Sequence, residues 1–125
     1  MIDRLGVVGS RSIFDKDRVE LAIRHNPFVP GSSPERWDLT IVSGGADGVD
    51  TSAEIFANSY GVDMNVVEPD WDDWSRGHPA KIRNIRIVEK GDAVVAVWDG
   101  HSNGTRDTID KALDQGVPIY VDVID

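Results

Sequence analysis

Three glycine-bearing loops hold the residue types that could bind a charged ligand, and each follows a short apolar run. The first, Gly9-Ser10-Arg11-Ser12, offers a close-approach glycine, two hydroxyls and a guanidinium able to grip phosphate in bidentate fashion. The second, Ser43-Gly44-Gly45-Ala46-Asp47-Gly48-Val49-Asp50, is the sharpest signal. Its three glycines let backbone approach a ligand without side-chain obstruction, and a helix starting there aims free N–H groups and a positive dipole end at a phosphate. It has neither the Gly-Lys-Ser/Thr of a Walker loop nor a strict G-x-G-x-x-G fingerprint. The third, Trp98-Asp99-Gly100-His101-Ser102-Asn103-Gly104-Thr105, adds with Arg106 a hydroxyl and a charge suited to a second phosphate or a ribose. Each loop also has a plainer reading: a tight turn, a turn capped by Asp47 or Asp50, and a turn capped by Ser102 or Asn103.

Outside these loops, Trp71 and Trp74 lie in a polar, turn-rich stretch where a base could stack, or where they could close the sheet edge as a hydrophobic lid. Arg83 and Asn84 follow on a helix, and Arg83 is a further phosphate ligand. His25, His78 and His101 show no metal-ligand spacing and no neighbouring serine-nucleophile motif, so they read as surface residues and no metal is expected.

Five apolar runs must position the loops: Leu5 to Val8, Leu39 to Val42, Met64 to Val67, Ala93 to Trp98 and Ile119 to Ile124. Most are continuous rather than alternating, as for parallel strands covered on both faces. Segments of helical spacing lie between them. Asp15 to His25 carries Val19, Ala22 and Ile23; Val49 to Tyr60 carries Ala53, Phe56 and Ala57 and stops at Gly61; the third begins at Pro79 and carries Ile82, Ile85 and Glu89. The fourth, Gly104 to Gln115, has the stripe Thr105, Ile109, Ala112 and Leu113, with Gly116 as its cap. Asn26 to Arg36 is a Pro/Gly/Ser-rich surface loop. The fold class is α/β, one three-layer Rossmann-like domain over residues 1–125 with a five-stranded parallel sheet. Right-handed crossovers allow the orders 3-2-1-4-5 or 2-1-3-4-5, and the first is expected.

The 125 residues suffice for one domain, and 40% are hydrophobic, enough for a core. There are no cysteines, which excludes disulfide scaffolds, cysteine nucleophiles and thiolate zinc sites. The net charge of −9 disfavours a broad nucleic-acid or anionic-membrane surface. Neither a signal-peptide pattern after Met1 nor a membrane-length apolar run is present, so a cytoplasmic protein is expected. The acids are 17 Asp and 5 Glu, the bases 9 Arg and 4 Lys. An Asp-rich, Lys-poor surface suits a high-salt cytoplasm, where screening over about 3 Å at 1 M removes self-repulsion; an ordinary acidic protein is the alternative.

Taken in order, Gly9-Ser10-Arg11, Ile41 to Ala53, Arg83-Asn84 and Asp99 to Thr105 resemble the SLOG superfamily across nearly the whole chain. That superfamily joins the Rossmann-like domain of DNA-processing protein A with the Lonely-guy phosphoribohydrolases and small single-domain YpsA-related proteins, and the chain looks like the small relatives. The resemblance implies a nucleotide or nucleotide-derived ligand at the strand carboxyl ends, with homo-oligomerisation on family analogy. Asp47 stands where the DNA-processing branch usually has a basic residue, which with the acidic balance weighs against single-stranded DNA. In the phosphoribohydrolase motif Pro-Gly-Gly-x-Gly-Thr-x-x-Glu, Gly104-Thr105 matches the Gly-Thr and Arg83 the upstream Arg. The Glu falls on Thr108, and Asp107 is one residue short. Cleaving an N-glycosidic bond calls for a carboxylate near the anomeric carbon, for which Asp107 and Asp50 are the candidates.

The expected role is therefore a sensor or sequestering module that binds its ligand through Gly9, Ser10, Arg11, Ser43, Gly44, Gly45, Gly48, Arg83, Asn84, Ser102, Gly104 and Thr105. The alternative is a nucleoside 5′-monophosphate phosphoribohydrolase using Asp50 or Asp107. No cofactor beyond the nucleotide ligand is implied.

Overall fold

Successive side chains of a strand point to opposite faces, so a strand covered on both sides must be apolar at every position. The computed structural model, which describes residues 2–124, shows this arrangement in the three inner strands of its sheet, the two edge strands being only partly buried; Met1 and Asp125, the ends of the span expected to form one domain, lie outside the described residues. The strands are β1 (Arg4–Gly9), β2 (Thr40–Ser43), β3 (Asp63–Val66), β4 (Ala93–Trp98) and β5 (Ile119–Val123). They alternate with α1 (Lys16–Arg24), α2 (Val49–Tyr60), α3 (Pro79–Lys90) and α4 (Asn103–Gln115). Every pairing is parallel and the order is β3-β2-β1-β4-β5, as expected. Leu5, Val7, Ile41, Val95 and Val97 pack with Val19, Ile23, Ala53 and Phe56 of α1 and α2. Val8, Val42, Val94 and Ala96 face the other way, toward Ile87 of α3 and Ile109 of α4.

Several local expectations need correction. Leu113 is 63% exposed, and Thr108 is buried in its stead beside Thr105 and Ala112. A helix turns about 100° per residue, and α4 packs on α3 as well as on the sheet, which rotates its buried stripe. For the same reason α3 buries Arg83, Asn84, Ile87 and Val88 with Ile82, while Ile85 is half-buried and Glu89 exposed. Neither Asp47 nor Asp50 caps α2; Gly48 holds that position at φ 73°. Ser102 is the α4 cap residue, but its hydroxyl bonds no helix N–H. His78 caps α3, with Nδ1 accepting from Ala80 N at 3.1 Å and Pro79 opening the helix. Gly61 and Gly116 end α2 and α4 in left-handed conformations, as expected. Among the described residues no helix is long and apolar enough to cross a membrane.

The chain moves from one side of β1 to the other between β3 and β4. The carboxyl ends of β1 and β4 therefore diverge into a crevice, the place where open α/β sheets bind ligands.

Candidate functional site

The loops after β1 and β4 are tied together at this crevice. Ser10 N donates to Val97 O at 3.0 Å, and Ser10 Oγ lies 2.6 Å from Ser102 Oγ while accepting from Asp99 N at 3.0 Å. Asp99 Oδ1 accepts from His101 N and Ser102 N, both at 2.8 Å, and Oδ2 accepts from Ser12 Oγ at 3.1 Å. The Ser102 N–H first, then that of His101, holds the Asp99 carboxyl well below the usual carboxylate range. This serine–aspartate lattice fixes the loops relative to each other.

The glycines of the second loop face the protein itself. A Cβ on Gly48 would stand 2.5 Å from the carbonyl oxygens of Ser10 and Arg11, and one on Gly9 would stand 2.6 Å from Val49 Cβ. Val49 N, expected to face a ligand, donates to Ser10 O at 3.3 Å. The first loop thus closes the N-terminus of α2. Gly45 packs against Val66, and Gly44 admits the Arg83 side chain. Gly104 differs: nothing lies within 4 Å of its Cβ position. The first turn of α4 therefore borders open space at Gly104, with the positive end of the helix dipole at hand and Arg106 N turned back to Ser102 O at 3.2 Å.

That open space is a cavity of about 650 Å³ between the N-terminal turns of α3 and α4. Of the residues singled out in the sequence, Gly9, Arg11, Asp50, Arg83, Asn84, Ser102, Gly104, Thr105 and Asp107 line it. Ser10, Ser43, Gly44, Gly45 and Gly48 do not, and Trp71 and Trp74 stand outside at 58% and 61% exposure. His78, Lys81 and Asp110 line it without having been singled out for binding. For Lys81 the signal was available: it sits on the first turn of α3, two residues before Arg83. The wall carries four bases, Arg11, Lys81, Arg83 and Arg106, against three carboxylates, Asp50, Asp107 and Asp110. A chain of net charge −9 has gathered a positive balance here.

At its floor Arg83, 8% exposed, donates from Nη1 to Gly44 O at 2.7 Å and from Nε to Asn84 Oδ1 at 2.9 Å. Burial lowers the guanidinium's pKa; the Asp50 charge opposes that shift and Arg11 adds to it. Asn84 Nδ2 reaches Asp107 Oδ2 at 3.2 Å and, at 3.4 Å, Gly104 O. The pair thus ties α3 to the second loop and to α4. Asp50, 6% exposed, accepts from Ala46 N at 3.2 Å. Burial pushes its carboxyl up to about 6, against the lowering effects of the Ala46 N–H and Arg83. The buried Ser43 hydroxyl lies near that carboxyl but makes no hydrogen bond of proper geometry. Asp107 is bound by Lys111 Nζ as well as Asn84, and Thr108 Oγ1 donates to Gly104 O at 3.2 Å. Of the two candidate carboxylates, Asp50 is the buried one, and its carboxyl is raised toward neutral pH.

No protein-family model matches this chain, and no curated protein matches it. Among solved structures the chain is similar to DNA processing protein A from Streptococcus pneumoniae, with a TM-score of 0.73 and 22% identity. The match covers 95% of this chain and 50% of that one, so the chain spans half the length of its neighbour. At this identity the likeness is one of fold: the chain has the Rossmann-like architecture of that protein.

Proposed function

We propose that the chain forms a SLOG-type domain, similar to the small YpsA-related proteins, that binds a nucleotide or nucleotide-derived ligand in the cavity between α3 and α4, as a sensor or sequestering module. The observation that carries this is the meeting of an unobstructed helix N-terminus at Gly104 with four basic side chains in one cavity of an acidic protein. Such a setting favours phosphate, and about 650 Å³ is ample for a nucleotide. The phosphate sits against Asn103, Gly104 and Thr105, with Arg11 and Arg106 at its flanks and Arg83 beneath. Thr108 in place of a glutamate, and the engagement of Asp107 by Lys111 and Asn84, favour binding without turnover.

A thermal-shift panel of nucleotides, dinucleotides and cyclic nucleotides tests this, with each mixture then chromatographed for free base. A ligand at 100 times its Kd stabilises by about 2.7 kcal/mol, roughly 4 °C or more for a domain of this size. A shift with intact ligand is expected. No shift across the panel would refute the binding reading.

The raised pKa of Asp50 favours one second reading, a phosphoribohydrolase in which Asp50 exchanges the proton. Free base in the chromatogram would establish it. The resemblance of the loop motifs to the DNA-processing branch raises single-stranded DNA as a further ligand, but a net charge of −9 opposes an electrostatic groove. The Asp-rich, Lys-poor charge balance supports a protein adapted to high salt; salt-independent stability would count against that.

A further inference from the structure

His78 is exposed, as read from the sequence, and also lines the cavity, with its chemistry constrained. Its Nδ1 accepts from Ala80 N at 3.1 Å. A ring nitrogen that accepts carries no proton, so the neutral imidazole must hold its proton on Nε2, as a donor. Two indoles meet the ring edge-on, Trp74 with centroids 5.0 Å apart and Trp71 at 6.1 Å. The segment bearing them is braced internally: Trp74 Nε1 donates to Trp71 O at 3.1 Å, Asp73 N to Asp70 O at 3.0 Å, and Asp73 pairs with Arg86 at 3.7 Å. One end of the cavity is thus charged and rich in N–H groups, around Gly104. The other carries the His78 donor beside Lys81 on the first turn of α3, with the two indoles, more than half exposed, just outside it.

A nucleotide has the same polarity, a phosphate at one end and a planar heterocycle bearing ring-nitrogen and carbonyl acceptors at the other. We propose that His78 is the base-reading residue of the site, donating from Nε2 to an acceptor on the heterocycle while Trp71 and Trp74 form the aromatic wall beside it. This rests on the reading of the cavity as a nucleotide site and adds which end of the ligand determines selectivity.

The test compares ribose 5-phosphate, which lacks a base, with AMP, GMP, CMP and UMP by calorimetry on the full chain and on His78→Ser. Serine caps a helix as well as any residue, so this variant keeps the Ala80 contact and should melt like the wild type. The expected result is at least one nucleotide bound more tightly than ribose 5-phosphate, with about a tenfold loss for that nucleotide in H78S and an unchanged affinity for the sugar phosphate. Equal losses for both ligands, or sugar-phosphate binding as tight as any nucleotide, would overturn base reading while leaving the phosphate site standing. Binding of neither would overturn both. Independently, ¹⁵N shifts of the His78 ring should report the Nε2–H tautomer, and an Nδ1–H tautomer would contradict the proposal.

Discussion

Arg83 Nη1 lies 2.7 Å from the carbonyl oxygen of Gly44, over the point where a Gly44 Cβ would stand 2.6 Å from that same nitrogen. The absent side chain at Gly44 is therefore what seats the guanidinium in the cavity floor. Gly44→Ala should displace Arg83 and destabilise the fold by about 1–3 kcal/mol, the usual range for overpacking. Arg83→Ala, which leaves Gly44 O and Asn84 Oδ1 without their donor, should do the same by about 1.5–3 kcal/mol. Urea unfolding checks both; unchanged midpoints would show that the contact carries no energy.

Gly48 and Gly104 make a matched pair with opposite expectations. Gly48→Ala forces a side chain onto φ 73° and against two carbonyls at 2.5 Å, so it should be among the most damaging single changes. Gly104→Ala meets nothing within 4 Å and should stabilise α4 by about 0.5–1 kcal/mol, while lowering affinity for a phosphate ligand by blocking the N–H groups. Melting curves with and without a nucleoside monophosphate separate the two effects.

Asp50 gives the pH dependence. Its carboxyl is raised from the ordinary 3.8 to about 6 in the folded protein. Between those values the folded state binds the extra proton, so the contribution of Asp50 to stability is greatest below about pH 4 and is lost as pH rises through 6. Asp50→Asn should therefore stabilise at pH 8, by an amount on the order of 3 kcal/mol at most at 1.36 kcal/mol per pH unit. The gain should shrink toward zero near pH 4. A pH-independent difference would show that burial of this charge is not what shifts it.

The two carboxylates are distinguishable if any base is released. Asp107 is occupied by Lys111 and Asn84, so Asp107→Asn should change turnover little, whereas Asp50→Asn should abolish it. The reverse pattern would assign the proton transfer to Asp107.

Much of the fold was legible because parallel strands covered on both faces need runs such as Ala93 to Trp98, and because Gly61, Gly116 and Pro79 mark helix ends by their own backbone chemistry. The phosphate-type loops were legible as loops, but not which way their glycines face. Gly48 yields to the Ser10 and Arg11 carbonyls and Gly104 to open space, and nothing local distinguishes a glycine that accommodates backbone from one that accommodates a ligand. Asp50 was singled out as a cap or a carboxylate, but its burial, like that of Thr108, was hidden for a related reason. A cap position and a buried first-turn position differ by two residues, and the stripe of α4 was set by packing on α3. His78 carried no signal of its own; its role follows from Ala80 N and two indoles brought together by the turn before α3.

The most direct test maps a nucleoside 5′-monophosphate onto the protein by amide chemical-shift perturbation. The largest shifts should fall on Asn103, Gly104, Thr105 and Arg106, with the Arg83 Nε–H and the first turn of α3 following. Shifts confined to the far side, around Arg24 to Ser32, or none at saturating concentration, would contradict a ligand site between α3 and α4.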